Sequence, residues 1–371
     1  MGLGRLRDGL APTPPMGWNS WNRFQTRIDE RLIGDTADAL VETGLRDAGY
    51  RYVVIDDGWE APERDSSGDL VADPERFPEG MAALAEHVHR RGLGFGIYTD
   101  AGTNTCAGYV GSLGYEFRDA RRFASWGVDY VKVDWCNTGG LGPRSTYWHW
   151  SQAFRAAGRP MVLSICEWGR TRPWQWGGRV GHLWRTCWDI QDTWESLVAI
   201  VDRQRGLHLW SGPDRWNDPD MLEVGNGGMT LDEYRAHFSL WCVLAAPLMA
   251  GNDLRAMPEE VRAVLTAPEV VAVDQDPLGR QGDLVRDDGN GGEVWARELA
   301  DGSQAVVLFD RSDGPREIEV AWSDLGWDPR TRVAMRDLWE RADLGRRDQG
   351  TGARVPGHGA VMLRLTPERG A

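Results

Sequence analysis

Short apolar runs that end in an acid or a tryptophan alternate with longer amphipathic stretches along most of this chain. The runs are 51–57 (RYVVIDD), 94–100 (GFGIYTD), 128–135 (VDYVKVDW), 161–168 (MVLSICEW) and 182–189 (HLWRTCWD), with weaker candidates at 16–21, 208–211 and 247–252. Between them, 30–48, 81–91, 117–126, 193–204 and 231–245 carry apolar residues at three- and four-residue intervals, the pattern of a helix with one buried face. Thr230 and Glu233 stand at capping-box spacing before the last of these. About eight strand–helix units over about 260 residues predict an α/β fold, a (β/α)8 TIM barrel. An open doubly wound sheet is the alternative, but no GxGxxG follows a first strand.

After Asp276-Pro277-Leu278-Gly279 the texture changes. Short alternating runs follow at 292–299, 304–310, 317–322, 332–337 and 360–365, with Asp301-Gly302 as a hairpin signal between two of them. The expected division is a catalytic barrel over 1–280 and a C-terminal antiparallel β-sandwich over 281–371.

Charge narrows the partners. The formal net charge is −14, the opposite of the basic surface a nucleic-acid binder needs. No run of eighteen apolar residues suggests a membrane span, and 1–15 lacks the apolar core of a secretory signal. If Met1 is the natural start, a cytoplasmic location is expected; a trimmed start would leave secretion open. Five cysteines, with no CxxC, fit neither a zinc ribbon nor a disulfide scaffold. The 20 tryptophans suit both core filling and stacking on sugar rings. Of 42 basic residues only Lys132 is lysine, as if its place needed a slim ammonium that a planar guanidinium cannot replace.

Function in such a barrel lies where the strands end. Those ends offer Trp18 and Trp21, Asp56 and Asp57, Tyr98 and Asp100, Lys132 and Asp134, Glu167 and Trp168, and Arg185 and Asp189. Asp218, Asp220 and Met221 follow in an apparent loop, then Asn252 and Asp253. One terminal acid is often only a helix cap. So many in succession suit a polyol, whose hydroxyls donate to carboxylates while its ring face lies on indole. A magnesium or calcium site is the other use for such acids. The seven histidines argue against a transition metal, and His87 and His89 fall on a helix. Lys132 and Asp134 share a strand face, as do Arg185, Cys187 and Asp189 if their strand runs straight. A neighbouring cation lowers a carboxyl pKa, which suits an ionised nucleophile at Asp134. Asp189 must carry a proton in turn, so the substrate or Asp134 must raise its pKa. Two facing carboxyls are the usual device of glycoside cleavage.

The motifs PPMGWNSW (14–21), YVVIDDGW (52–59), NTCAGYVGS (104–112), YVKVDWC (130–136), SICEWG (164–169), WRTCWDI (184–190), WNDPDML (216–222) and DQDPLGRQG (274–282) resemble glycoside hydrolase family 27, the α-galactosidases and α-N-acetylgalactosaminidases of clan D. The resemblance implies a retaining double displacement with no metal and no organic cofactor. It implies Asp134 as nucleophile and Asp189 as acid and base. It implies substrate contacts from Trp21, Asp56, Asp57, Tyr98, Lys132, Glu167, Trp168, Arg185, Asp220 and Met221, and a disulfide between Cys106 and Cys136.

The same resemblance implies specificity. Asp56 and Asp57 would bind the 4-OH and 6-OH of galactose, where Glu in place of Asp57 would favour a β-L-arabinopyranoside. Glu167 and Trp168 would read the 2-position, where small residues would admit an acetamido group. The expected activity is exo-cleavage of terminal α-D-galactosyl residues from a small galactoside or oligosaccharide. The alternatives are another glycoside within the family or a non-catalytic sugar binder. Many relatives carry a Cys at position 58 paired with one in the first barrel loop; here Gly58 stands, and no Asn-x-Ser/Thr sequon occurs. The absent disulfide at Gly58 fits a reducing compartment, and the absent sequon is unlike secreted eukaryotic relatives. Cys166, Cys187 and Cys242 are expected as buried, free thiols.

Overall fold

A computed structural model describes residue 6 and residues 8–368. Eight short parallel strands form one sheet: β1 (Met16–Asn19), β2 (Tyr52–Ile55), β3 (Gly94–Asp100), β4 (Tyr130–Asp134), β5 (Val162–Ile165), β6 (Leu183–Arg185), β7 (Trp216–Asp218) and β8 (Leu248–Ala250). They pair in chain order, with β8 against β1. The ring closes just past β7, where Leu222 bridges Ala250 in parallel. This closure rules out the open doubly wound sheet.

The strands alternate with two-residue periodicity, and each side has its own partner. Val53, Ile55, Phe95, Ile97, Val131, Val133, Leu163, Ile165 and Trp184 face outward into the core shared with the helices. Val54, Tyr130, Val162, Leu183, Trp216 and Met249 form a separate inner cluster that fills the barrel. One step further along several of the same strands, the inward position becomes polar. Tyr130 gives way to Lys132 and Asp134, Val54 to Asp56, Leu183 to Arg185 and Trp216 to Asp218. That changeover makes a plugged floor with a charged chamber above it.

The helical periodicity is realised with adjustments at the ends. Trp194–Gln204 is capped by Thr193, and Leu231–Val243 begins with the Thr230–Glu233 capping box. The stretch 30–48 is two helices, because Gly44 takes a left-handed φ of 82° between Glu30–Glu42 and Leu45–Ala48. The weak strand at 208–211 is a short 3-10 turn at Leu207–Leu209. The seventh strand instead carries Trp216–Asp218, in the stretch read as a loop. No described helix is long and apolar enough to cross a membrane.

The tail adds β9 (Asp283–Asp287), β10 (Gly292–Glu298), β11 (Gln304–Asp310), β12 (Arg316–Ala321), β13 (Val333–Asp337), β14 (Ala342–Arg347), β15 (Gly350–Val355) and β16 (Ala360–Pro367). Six form an antiparallel sheet in the order β14-β13-β16-β11-β10-β9, and β12 pairs with β15 beside it. Alternation again decides the packing. Trp295, Val307, Phe309 and Met362 join the barrel core, while Val294, Val306, Leu308 and Leu363 pack with Ile318, Val320, Trp322 and Val355. Arg297 is fully buried at the junction and donates to the carbonyls of Cys242 at 2.8 Å and Asp274 at 3.2 Å.

Candidate active site

The charged chamber is a pocket of about 350 Å³ lined by Trp21, Asn22, Asp56, Asp57, Tyr98, Cys106, Lys132, Asp134, Arg185, Asp189, Asp220 and Met221. The register explains the grouping. Tyr98 lies level with Lys132 on β3 and β4, and Arg185 lies level with Asp218 on β6 and β7. In-register parallel strands bring one layer of inward side chains to one height.

Two networks meet there. In the first, Lys132 Nζ donates to Asp56 Oδ2 at 2.8 Å and lies 3.9 Å from Asp134 Oδ2. Asn19 Nδ2 also donates to Asp56 Oδ2, at 2.7 Å, and the Trp135 amide donates to Asp134 Oδ1 at 2.9 Å. The oxygen of Asp134 nearer Lys132 is therefore the one without the amide bond. In the second network Arg185 lies 3.0 Å from Asp189 Oδ1 through Nη2 and 3.0 Å from Asp220 Oδ1 through Nη1. The Ile190 amide donates to Asp220 Oδ2 at 2.8 Å. Asp220 itself sits at φ 93°, held there by the turn after β7.

Protonation differs from the expectation for the catalytic pair. Burial pushes Asp134 up to about 6; Lys132 pulls it down, but Asp56 and Asp189 add to the rise. Asp189 stands at the exposed mouth, where burial would raise it but Arg185 and Lys132 together hold it below the usual carboxylate value. The expected low Asp134 is thus overturned, and Asp134 is not among the groups that act on Asp189, which leaves the raising of Asp189 to substrate. The cause is place: Asp134 is 5 % exposed among like charges, whereas Asp189 is exposed to solvent and takes one hydrogen bond from Arg185. Burial works against the charge on Lys132, yet Asp56, Cys166, Asp134 and Asp189 together outweigh it and hold it protonated. Burial also lifts Asp220 to about 6, against the pull of Arg185.

The rim is built on a disulfide. Cys106 and Cys136 are joined, and the next amide, of Ala107, donates to Asp57 Oδ2 at 2.8 Å. Beneath the bridge Asp100 accepts from the amides of Gly102 at 2.7 Å and Cys136 at 2.9 Å, and burial raises it to about 8. Asp100, Cys106 and Cys136 bring three candidate ligand atoms together, but the two sulfurs are bonded to each other. At Gly58, φ is 103° and an added Cβ would stand 2.9 Å from Thr26 Cβ. Thr26, in the first barrel loop, fills the space beside the missing thiol. Cys166, Cys187 and Cys242 are buried and free.

Not every expected residue joins the lining. Arg185 ends β6, so Cys187 and Asp189 lie beyond the strand, and the assumption of a straight strand fails. Asp189 still meets Arg185 because the chain doubles back, whereas Cys187 packs in the core. Glu167 and Trp168 are not among the lining residues. Glu167 is fully buried with its carboxylate on the Thr171 amide at 2.9 Å, and Trp168 turns through φ 55° under the Arg170 guanidinium at 4.5 Å. Burial lifts Glu167 to about 7. Asn22 is the lining residue that the sequence did not single out. Its one local signal is adjacency to Trp21, and its main partner, Glu223, is 201 positions away.

Comparison with known proteins agrees with this geometry. Residues 13–276 match the family described as "Alpha galactosidase A", and residues 289–365 match the "Alpha galactosidase C-terminal beta sandwich domain". A "Probable alpha-galactosidase" of Dictyostelium discoideum is 47% identical over 366 residues, covering 98% of this chain and 94% of its own. The crystal structure of α-galactosidase I from Mortierella vinacea superposes with a TM-score of 0.94 at 36% identity, covering 97% of this chain and 98% of that one. The Saccharomyces cerevisiae enzyme solved with raffinose superposes at 0.92 with 29% identity, covering 97% and 99%.

Proposed function

This chain belongs to glycoside hydrolase family 27, the α-galactosidases, and we propose that it cleaves terminal α-D-galactosyl residues with Asp134 as nucleophile and Asp189 as acid and base. The observation that carries the assignment is the convergence of these two carboxyls, from the end of β4 and the turn after β6, on one pocket with a cation beside each.

Asp134 Oδ2 attacks C1 while the glycosidic C1–O bond breaks. Asp189 gives its proton to the departing oxygen, so no alkoxide leaves. Its Oδ1 is engaged by Arg185, which leaves Oδ2 to carry that proton. Once Asp134 is esterified its charge is gone, and Asp189 is left an anion beside Arg185. Asp189 then takes a proton from water as the water oxygen attacks C1 and the ester C1–O bond breaks. Two inversions return an α-configured galactose.

Asp56 and Asp57 serve the 4-OH and 6-OH in this reading, and Trp21 lies on the apolar ring face. Tyr98, Lys132, Arg185, Asp220 and Met221 complete the walls. Glu167 and Trp168, just past β5, are assigned the reading of the 2-position in the same proposal. The substrate is a galactoside, and an oligosaccharide such as raffinose fits the class.

The test is initial rates on 4-nitrophenyl α-D-galactoside, β-L-arabinopyranoside and α-N-acetylgalactosaminide, with the first product followed by NMR. Fast release of α-galactose from the galactoside alone is expected. Release of β-galactose would overturn the double displacement, and preference for another glycoside would overturn the specificity.

A further inference from the structure

Asn22 follows Trp21 at the top of β1 and is half-buried in the pocket wall. Its Nδ2 donates to Glu223 Oε1 at 2.7 Å. Glu223 is 4 % exposed; its Oε2 accepts from Asn226 Nδ2 at 2.5 Å and its amide donates to His237 Nε2 at 3.2 Å. Burial lifts Glu223 to about 7; with both of its oxygens accepting from side-chain amides, its ionised form fixes the Asn22 amide with the NH2 toward Glu223 and the carbonyl oxygen turned away. Gly251 makes room for the packing: a Cβ there would stand 3.0 Å from both Asn22 Cβ and Met221 Cε.

Position in the ring says which part of the sugar this oxygen meets. Asp134 ends β4 and Asp189 follows β6, so C1 lies on that side of the barrel. β1, β2 and β8 are neighbours on the other side; Trp21 and Asn22 follow β1, and Asp56 and Asp57 follow β2. A galactosyl ring with C1 at the carboxyl pair turns its C4–C6 end toward them. We infer that Asn22 reads the hydroxymethyl end of the ring, accepting a hydrogen bond at Oδ1, and that Glu223 is the positioning residue that sets its amide. The inference rests on the galactosidase reading above.

The experiment compares D-galactose with L-arabinose as competitive inhibitors, since L-arabinopyranose is the same ring without C6. In Asn22→Ala the inhibition constant for galactose and the KM for 4-nitrophenyl α-D-galactoside should rise about three- to tenfold, the worth of one neutral hydrogen bond. The kcat should stay within about twofold, and so should the inhibition constant for arabinose, because neither depends on the lost contact. Glu223→Ala should repeat the effect, whereas Glu223→Gln, which keeps an acceptor for Asn22, should restore galactose binding to within about twofold. Equal weakening of both sugars, or unchanged galactose binding, would overturn the inference. Failure of the unaltered protein to cleave the galactoside would instead overturn the reading beneath it.

Discussion

Lys132 gives its hydrogen bond to Asp56 at 2.8 Å and stands 3.9 Å from Asp134, its neighbour two residues along the same strand. The one lysine of the chain therefore stabilises Asp56 by contact and Asp134, the proposed nucleophile, by field. It also lies 5.2 Å from the centre of the Tyr98 ring. A compact ammonium fits among three such groups.

Lys132→Arg keeps the charge but brings a longer, planar head into this space. The guanidinium would displace Asp56 or the sugar, and a shift of about 1 Å is worth about 10²-fold in turnover. We expect kcat/KM to fall by about that factor, measured on 4-nitrophenyl α-D-galactoside. Kinetics equal to the unaltered enzyme would make Lys132 interchangeable.

Replacing the two carboxyls should separate their roles. Asp134→Asn removes the nucleophile and should lower kcat by about 10³-fold or more on every galactoside. Asp189→Asn removes the proton donor, so raffinose should suffer more than the nitrophenyl galactoside, whose leaving group departs as a stable anion. Equal losses on both substrates would refute the acid role.

The pH profile follows from the protonation of this pair. Below about 6 Asp134 takes up a proton, while Asp189 ionises below the ordinary carboxylate range. The pair thus holds a single proton only between those two values. The productive arrangement needs that proton on Asp189, and substrate favours the exchange because a developing positive C1 stabilises ionised Asp134. Above about 6 both groups are ionised in the free enzyme and no proton remains for the leaving oxygen. We expect kcat/KM to decline on the alkaline side from near this value. A plateau extending beyond pH 8 in the measured profile would contradict it.

Reducing the bridge between Cys106 and Cys136 should loosen the Ala107 amide from Asp57, and with it the reading of the sugar. Cys136→Ser should raise KM several-fold with a smaller change in kcat. Closing a loop of 30 residues' separation corresponds to about 3–4 kcal/mol of stability, so calorimetry should show a lower Tm. An unchanged KM would make the bridge a staple without influence on recognition.

The barrel was legible where burial on both sides made apolar runs, as in 51–57 and 128–135. It was illegible at Trp216–Asp218, whose three residues carry too little apolar signal to stand out from a turn. β14 was missed for a related reason: Ala342–Arg347 is an exposed edge strand, and charged edges show no apolar alternation. Most of the candidate lining came from its motifs. The protonation order did not, because a sequence shows which cation neighbours a carboxyl but not how deep the carboxyl is sunk. The same limit hid Asn22, whose orientation depends on a carboxylate brought close only by the closed ring.

The floor beneath the pocket has a consequence for long substrates. Tyr52 and Tyr130 meet with ring centres 5.4 Å apart under the charged layer, and Trp216 is fully buried in the same plug. A polymer cannot thread through such a chamber; it can only present a tip and withdraw. Catalytic throughput on a branched polysaccharide should therefore follow the number of exposed galactosyl tips per gram, and be indifferent to the length of the backbone that carries them.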